Sequence, residues 1–317
     1  MSQSVIWHDP LSEETKLLYE KREFGAPSVD CGGILRQTLR IANDNTFRGK
    51  EPNASRDRIL VHENDDNGDL RVTLDAQNKA SCRIEYLDWN IEASIETSSA
   101  VLSTSSLRPR MTPYYIAERL VLPFLRYFRG AILIHAGAVA IDGQGYALLA
   151  PSGVGKSTLT GAILANHARA KILSDDVMTV IPRGSSYDIA SSQTHLAMRH
   201  EMWNASPFVE QTTDFFDKTI LRIKSSHVQL DPVPLRGLFV LEKADCNSIK
   251  RVLAKNLLPT VAQSRFAVSC EWREMHRYQF KHWLSILRDT PAFLCRMNDE
   301  NISEWTDQLM ETIRHCS

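Results

Sequence analysis

A glycine-rich loop constrains this chain more than any other feature. It reads Ala150-Pro151-Ser152-Gly153-Val154-Gly155-Lys156-Ser157-Thr158. The glycines let the backbone curl so that successive N–H groups point inward, the lysine supplies positive charge, and the serine hydroxyl is a ligand that Mg²⁺ accepts. Residues 145–149 before the loop are typical of a short buried strand, and residues 159–168 after it are typical of a helix. A strand, a loop and a helix in this order predict a phosphate site at the helix N-terminus.

The predicted ligand of this loop is a nucleoside triphosphate with Mg²⁺. The pattern departs from its usual form at one position, because Ala150 stands where a glycine is expected. Glycine tolerates more backbone conformations than alanine, so this position is the one to examine in a structure. The residues predicted to bind the nucleotide are Pro151, Ser152, Gly153, Val154, Gly155, Lys156, Ser157 and Thr158, and Ser157 is also a predicted metal ligand.

Composition excludes several partners. The chain has 317 residues, enough for one large core and a smaller one, and its 37 basic residues are balanced by 38 acidic ones. This balance provides no global field for a polyanion, so we expect no nucleic-acid partner. The longest apolar stretch, residues 131–141, is too short to cross a bilayer, and no basic segment followed by an apolar one opens the chain. We therefore expect a cytoplasmic protein without a membrane partner, and six scattered cysteines that are reduced thiols.

The sequence predicts an α/β fold in three parts. Residues 1–110 read as a β-rich domain with a hairpin turn at Asp65-Asp66-Asn67-Gly68. Residues 111–255 read as a P-loop kinase core, which opens with a helix at Thr112-Pro113 that should kink at Pro123. Residues 256–317 read as a helical part packed on that core. A second hairpin turn at Asp142-Gly143-Gln144-Gly145 leads directly into the loop strand, so the core sheet should be mixed rather than all parallel.

Four further side chains are candidates for chemistry. Asp175 and Asp176 end an apolar strand after the loop helix, where one carboxylate can hold Mg²⁺ and the other can accept a proton from a hydroxyl. His135, in an apolar strand, is by itself more typical of a hydrogen-bonded core residue. Arg236 either caps a strand end or stabilises charge on a transferring phosphoryl group.

The order of these motifs resembles the catalytic domain of the HPr kinase/phosphorylase family. The resemblance rests on Ile134-His135-Ala136-Gly137, the turn at residues 142–145, the loop at residues 151–157, Ser174-Asp175-Asp176-Val177 and Pro234-Leu235-Arg236. It covers residues 115–245 and implies a mixed-sheet core shared with phosphoenolpyruvate carboxykinases. It also implies that His135 is an active-site residue, Asp175 the general base, Asp176 a ligand of Mg²⁺ or water, and Arg236 a phosphoryl contact. The chain is similar to a divergent group of this family, some members of which phosphorylate a serine of a lasso-peptide precursor.

These observations lead to three functional hypotheses. The first is an ATP-dependent kinase that phosphorylates a serine of a protein or peptide and, as the resemblance implies, self-associates. The second keeps the reaction and changes the acceptor to a small metabolite; a closed pocket beside the aspartates would favour it, whereas an open groove would favour a peptide. The third is a nucleotide-dependent switch, suggested by Glu242-Lys243-Ala244-Asp245, although its first residue departs from the guanine-reading pattern.

Overall fold

A computed structural model describes residues 3–8, 40–42, 57–65, 68–75, 81–86, 89–94, 99–104, 113–128, 130–198, 206–215, 218–257, 273–298 and 302–316. The chain divides into two compact units, Met1–Gly130 with Ala267–His276, and Ala131–Phe266 with Arg277–Ser317. This division does not test the domain limits at residues 110 and 255, which stay predictions.

The first unit contains a seven-stranded antiparallel sheet with the order β2-β1-β7-β6-β5-β4-β3. The hairpin predicted before Gly68 is confirmed, because Asp65 pairs with Gly68 across it. Ile84, Ile91 and Leu102 are fully buried in this unit. The strands are β1 (Gln3–His8), β2 (Arg40–Ala42), β3 (Asp57–Asp65), β4 (Gly68–Asp75), β5 (Ser81–Tyr86), β6 (Trp89–Ser94) and β7 (Ser99–Thr104).

A helical segment follows this sheet and begins at Pro113, as predicted. It consists of α1 (Pro113–Ile116), a π-helical turn (Ala117–Val121) and α2 (Leu122–Phe128). The N–H of Leu122 donates to the carbonyl of Ala117, five residues earlier. Pro123 has no N–H to donate to the preceding turn, so the irregular turn lies directly before it. A π-helical turn therefore ends two residues before Pro123, where the helix is predicted to kink.

The second unit is built on a nine-stranded mixed sheet with the path β11-β9-β10-β17-β13-β12-β8, extended by β19 on β17 and by β18 on β19. The predicted mixed sheet is confirmed, since β10 pairs antiparallel with β9 and parallel with β17. The strands of this unit include three, β14 to β16, that form a separate sheet. They are β8 (Ile132–His135), β9 (Gly137–Ile141), β10 (Gln144–Leu149), β11 (Ala170–Ser174), β12 (Val177–Arg183), β13 (Ser186–Ala190), β14 (His195–Met198), β15 (Val209–Phe215), β16 (Lys218–Ile223), β17 (Val233–Lys243), β18 (Ser248–Val252) and β19 (Ala292–Met297).

Side-chain alternation along these strands fills one core on each face of the sheet. On β10, Tyr146 and Leu148 belong to one apolar cluster, and Ala147 and Leu149 belong to the other. Successive residues of a strand point to opposite faces, so a strand covered on both faces is apolar throughout. The α-helices are α3 (Lys156–Asn166) and α5 (Ile302–Cys316), which lie in this unit, and α4 (Arg273–Asp289), which belongs to it from Arg277 onward. Residues of α3 and α5 lie in the first cluster, and residues of α4 from Trp283 onward lie in the second.

The C-terminal part differs from the prediction in one respect. Residues 256–317 were expected to be helical, but β19 lies between α4 and α5 and pairs parallel with β17. Its sequence, Ala-Phe-Leu-Cys-Arg-Met, is a short apolar run. Periodicity cannot separate a short buried strand from a helical segment, and the strand becomes evident only through its pairing. This part of the chain is therefore mixed, with a strand that completes the core sheet.

Two further features of the second unit position the candidate site. A three-stranded sheet of order β14-β16-β15 packs into the first apolar cluster through Leu196, Met198 and Leu221. The β9–β10 hairpin turns through Asp142 and Gly143, whose φ values of 50° and 73° fit a tight type I′ turn. This turn leads β10 directly to the glycine-rich loop.

Candidate functional site

The glycine-rich loop connects the end of β10 with the first residue of α3. Gly153 and Gly155 have φ values of 82° and 115°, in the region that side-chain-bearing residues rarely adopt. Among the described residues, the non-glycine residue with a positive φ is Asp142, so Ala150 has an ordinary backbone conformation. The glycine missing at that position is therefore not needed for the turn, and the side chain of Ala150 is buried in the core instead.

The N-terminus of α3 is free to bind an anion through its backbone. Its N-cap residue is Gly155, which has no side chain to accept hydrogen bonds from the first helical turn. The first N–H groups of a helix have no partners within the helix and, with the helix dipole, favour a negative charge. Of the predicted nucleotide residues, Pro151, Ser152 and Gly153 are exposed, and Val154, Gly155, Ser157 and Thr158 are half-buried.

Lys156 is held inside the loop that it follows. Its side chain is 8% exposed, and its Nζ donates to the carbonyl oxygens of Ala150 at 2.8 Å and Pro151 at 3.3 Å. Burial lowers the pKa of this ammonium, and the carboxylates of Asp176 and Asp175 oppose that shift. The loop therefore contains a partly desolvated positive charge with two acidic groups nearby.

His135 joins this lysine to Asp176. The lysine Nζ lies 3.4 Å from His135 Nε2, and His135 Nδ1 lies 3.1 Å from Asp176 Oδ1. An ammonium donates to an unprotonated ring nitrogen, so this arrangement fits a neutral histidine that donates from Nδ1 to the carboxylate. The backbone fixes the pair, because Val177 pairs with His135 and the N–H of Ala136 donates to the Asp176 carbonyl at 3.0 Å.

Asp175 points to the interior beside Ser157. It is 6% exposed, and its Oδ2 accepts the N–H of Ala197 from β14 at 2.9 Å. Its Oδ1 is buried and accepts no hydrogen bond. Burial raises the pKa of this carboxyl from 3.8 to about 6, while the Ala197 N–H and the Ser157 hydroxyl act in the opposite direction. A buried oxygen without a partner is what a site for a cation or a donor hydroxyl requires.

Gln193 is a residue of this site that the sequence did not identify. Its Oε1 accepts the backbone N–H groups of Asp175 and Asp176, each at 2.7 Å. It lies in a polar run, Ser191-Ser192-Gln193-Thr194, which reads as an ordinary loop. Its distance from the aspartates along the sequence does not indicate this contact, because only the folded chain brings Gln193 next to them.

Arg236 is the predicted site residue that the structure does not bring to this group. It lies on β17 four residues before Val240, the partner of Leu149 at the end of β10. At about 3.3 Å per residue, about 13 Å of strand separate it from the start of the loop. Its Nε donates to Gln144 Oε1 at 2.6 Å, at the opposite end of β10.

The two predicted metal ligands, Ser157 and Asp176, have different neighbours in the structure. Asp176 pairs with His135, whereas Asp175 is the carboxylate beside Ser157. Within the described residues, no group of three or more His, Cys, Asp and Glu side chains could hold a metal ion. Mg²⁺ commonly takes only one or two protein ligands and completes its shell with phosphate oxygens and water, so one hydroxyl and one carboxylate of the aspartate pair fit it.

Comparison by sequence and comparison by structure give different results. No known family's sequence profile matches the chain, and no curated protein matches it. A similar solved structure is the Hpr(Ser) kinase/phosphatase from Coxiella burnetii, with 11% sequence identity and a TM-score of 0.33. The match covers 57% of this chain and 95% of that chain. None of the described helices is both long and apolar enough to cross a membrane.

Proposed function

We propose that this protein is an ATP-dependent kinase that transfers the γ-phosphoryl group, with Mg²⁺, to a hydroxyl, namely a serine of a protein or peptide. The observation that carries this proposal is the position of Asp175, a buried carboxylate that lies beside Ser157 of the loop and whose Oδ1 accepts no hydrogen bond. Positive charge, phosphate-facing N–H groups and a carboxylate with a raised pKa are the groups that phosphoryl transfer requires.

Each residue then has a defined task. The loop N–H groups bind phosphate oxygens, and Lys156 offsets their charge. Bound Mg²⁺ would neutralise charge on the phosphates, with Ser157 as one ligand and Asp176 as another. Asp175 accepts the proton of the acceptor hydroxyl, and its pKa of about 6 makes it a more effective base near neutral pH than an ordinary carboxylate. His135 and Asp176 hold the lysine in place from the other side.

A serine acceptor is supported by the motif order that resembles the HPr kinase/phosphorylase family. Because self-association is what this resemblance implies, we also propose that the chain self-associates. The phosphoryl contact assigned to Arg236 is not part of the proposal, because this arginine lies at the far end of β10.

A transfer assay with γ-labelled ATP and Mg²⁺ tests the proposal. The acceptors are an HPr-like protein, a panel of serine peptides and free hydroxy metabolites. The variants are Asp175→Asn and, as a matched control, Asp142→Asn on the exposed hairpin turn, where asparagine tolerates the positive φ. We expect label on serine with the wild type and with Asp142→Asn, and a loss of about 100-fold or more with Asp175→Asn.

The remaining outcomes separate the alternatives. Label only on a metabolite would establish the small-molecule kinase. Nucleotide binding without transfer to any acceptor, but with nucleotide-dependent capture of a partner, would establish the switch. Failure to bind any nucleotide in the presence of Mg²⁺ would remove all three hypotheses.

A further inference from the structure

A single buried amide oxygen receives three hydrogen bonds at the turn that carries the two aspartates. Gln193 is 4% exposed, and its Oε1 accepts the N–H groups of Asp175 and Asp176 at 2.7 Å each. The hydroxyl of Ser174 donates to the same oxygen at 3.2 Å. These two aspartates lie between β11 and β12, outside both strands, so the glutamine side chain provides acceptors that a strand ladder would otherwise provide.

The glutamine is itself fixed by the strands that flank the turn. Its own N–H donates to the Leu173 carbonyl at 3.3 Å, and the N–H of Ser192 donates to the same carbonyl at 2.8 Å. The hydroxyl of Ser192 donates to the Val177 carbonyl at 2.8 Å. Leu173 precedes the turn and Val177 follows it, so residues 192–193 are anchored on both sides of the aspartates.

The same segment continues into β14 and reaches Asp175 from its other side. The N–H of Ala197 donates to Asp175 Oδ2 at 2.9 Å. The segment from Gln193 to Ala197 therefore holds both the backbone and the carboxylate of Asp175. With the backbone fixed in this way, Asp175 points towards Ala197 and Ser157, and Asp176 points towards His135.

We propose that Gln193 is a positioning residue, whose side-chain oxygen fixes the turn at Asp175 and Asp176 and thereby the direction of both carboxylates. The catalytic meaning of this role rests on the proposed function. The positioning itself is independent of any nucleotide, because it is a property of hydrogen bonds within the folded chain. Removing the oxygen leaves two buried N–H groups unpaired and frees the turn to rotate the carboxylates towards water.

The test is hydrogen exchange of the backbone amides of the full chain, without nucleotide and at one fixed pH, followed by NMR. The readout is the exchange rate of the Asp175 and Asp176 amides, because Gln193 Oε1 accepts both N–H groups. The variants are Gln193→Ala, Gln193→Glu and, as a control on the same segment, Ser192→Ala, which loses a hydroxyl donor to the Val177 carbonyl and keeps the glutamine oxygen. In the wild type we expect both amides to exchange slowly.

Each variant has a distinct expected result. Gln193→Ala removes the acceptor, so the exchange of both aspartate amides should speed up by about tenfold or more relative to the amides of the flanking strands. Gln193→Glu keeps an acceptor oxygen, so both amides should stay protected. Ser192→Ala should leave the ratio between the aspartate amides and the strand amides unchanged. The proposal is wrong if both amides stay as protected in Gln193→Ala as in the wild type; if Gln193→Ala does not fold, Gln193→Met, which keeps the side-chain volume without the oxygen, is measured in its place.

A second readout separates this proposal from the proposed function. In the γ-labelled ATP assay, Gln193→Ala should lower kcat by about 10–100-fold with little change in the KM for ATP, because the phosphate loop is untouched. If the wild type transfers no phosphate, the proposed function fails, and the exchange rates of the two aspartate amides still judge the positioning role. If transfer occurs and these exchange rates do not change in Gln193→Ala, the proposed function stands and the positioning role fails.

Discussion

At the scale of single residues, Asp175 binds its proton more tightly in the folded chain than in the unfolded chain, because burial raises its pKa from 3.8 to about 6. Its contribution to stability is therefore fully present below its unfolded pKa and is lost as the pH rises through its folded pKa. Above about pH 6 the ionised carboxylate lowers the free energy of unfolding. At about 1.4 kcal/mol per pKa unit, the cost is about 3 kcal/mol.

The first prediction is that Asp175→Asn is more stable than the wild type at about pH 8, by roughly 1–3 kcal/mol, and inactive in phosphoryl transfer. The gain should shrink towards zero as the pH falls to about 4, where the wild-type carboxyl is protonated. Urea unfolding of both proteins across this pH range measures the difference. A gain that does not change with pH would contradict the raised pKa of Asp175.

The second prediction concerns the backbone of the loop. Gly155 has a φ of 115°, and a Cβ there would meet Met297 Cε at 3.6 Å, an ordinary contact. The cost of Gly155→Ala is therefore backbone strain, about 1–3 kcal/mol, which also turns the first N–H groups of α3. We expect the affinity for Mg²⁺-ATP, measured by calorimetry, to fall by about tenfold or more.

Gly184 provides the matched control for this substitution. It lies in the turn between β12 and β13 with a φ of 63°, and a Cβ there has no neighbour within 4 Å. Gly184→Ala should lose about 1–2 kcal/mol of stability and keep its affinity for nucleotide. Equal affinities in the two variants would show that the conformation of Gly155 is not part of a phosphate site.

At the scale of secondary-structure elements, the third prediction compares two glycines on neighbouring strands. A Cβ at Gly145 of β10 would lie 2.9 Å from Ile189 Cδ1 and 3.2 Å from the Pro234 carbonyl oxygen, whereas one at Gly137 of β9 would have no contact below 3.5 Å. Gly145→Ala should therefore destabilise the protein by about 1–3 kcal/mol, and Gly137→Ala by less than about 1 kcal/mol. Urea unfolding at one pH measures both, and equal losses would contradict the close packing of β10 on β17.

The elements that the sequence predicted are those with local signals. The Asp142–Gly143 turn, the helix start at Pro113 and the strand-loop-helix order around Lys156 depend on residues adjacent in the chain, and all are found. By contrast, β19 has no periodicity of its own and is specified by its pairing with β17.

The candidate site likewise contains residues that the sequence predicted and residues that it did not. The order of motifs predicted that Lys156, His135, Asp175 and Asp176 share one site, and the structure brings them together. The motif order does not show which end of a strand a side chain occupies. Arg236, on β17, lies beside the end of β10 that is far from the loop. Gln193 is 17 and 18 residues from the aspartates that it binds, with no intervening pattern to indicate the contact.

At the scale of the whole molecule, we expect a bound nucleotide to slow hydrogen exchange in one of the two units and not in the other. Lys156, the three residues gathered around it (His135, Asp175 and Asp176) and the segment from Gln193 to Ala197 all belong to the unit Ala131–Phe266 with Arg277–Ser317. A ligand stabilises the state that binds it, by about 2.7 kcal/mol at a hundred times its dissociation constant. That stabilisation slows hydrogen exchange only in segments whose opening destroys the binding site.

The fourth prediction is therefore a pattern of protection. With saturating Mg²⁺-ATP, hydrogen exchange followed by mass spectrometry should slow in residues 150–158, 174–177 and 193–198, and strands β3 to β7 of the other unit should exchange as before. A serine peptide that is a substrate should add protection around Asp175, where its hydroxyl must approach, and Lys156→Ala should abolish the nucleotide-dependent part. Protection that is strongest in β3 to β7 would contradict the site, because it would place the nucleotide on the other unit.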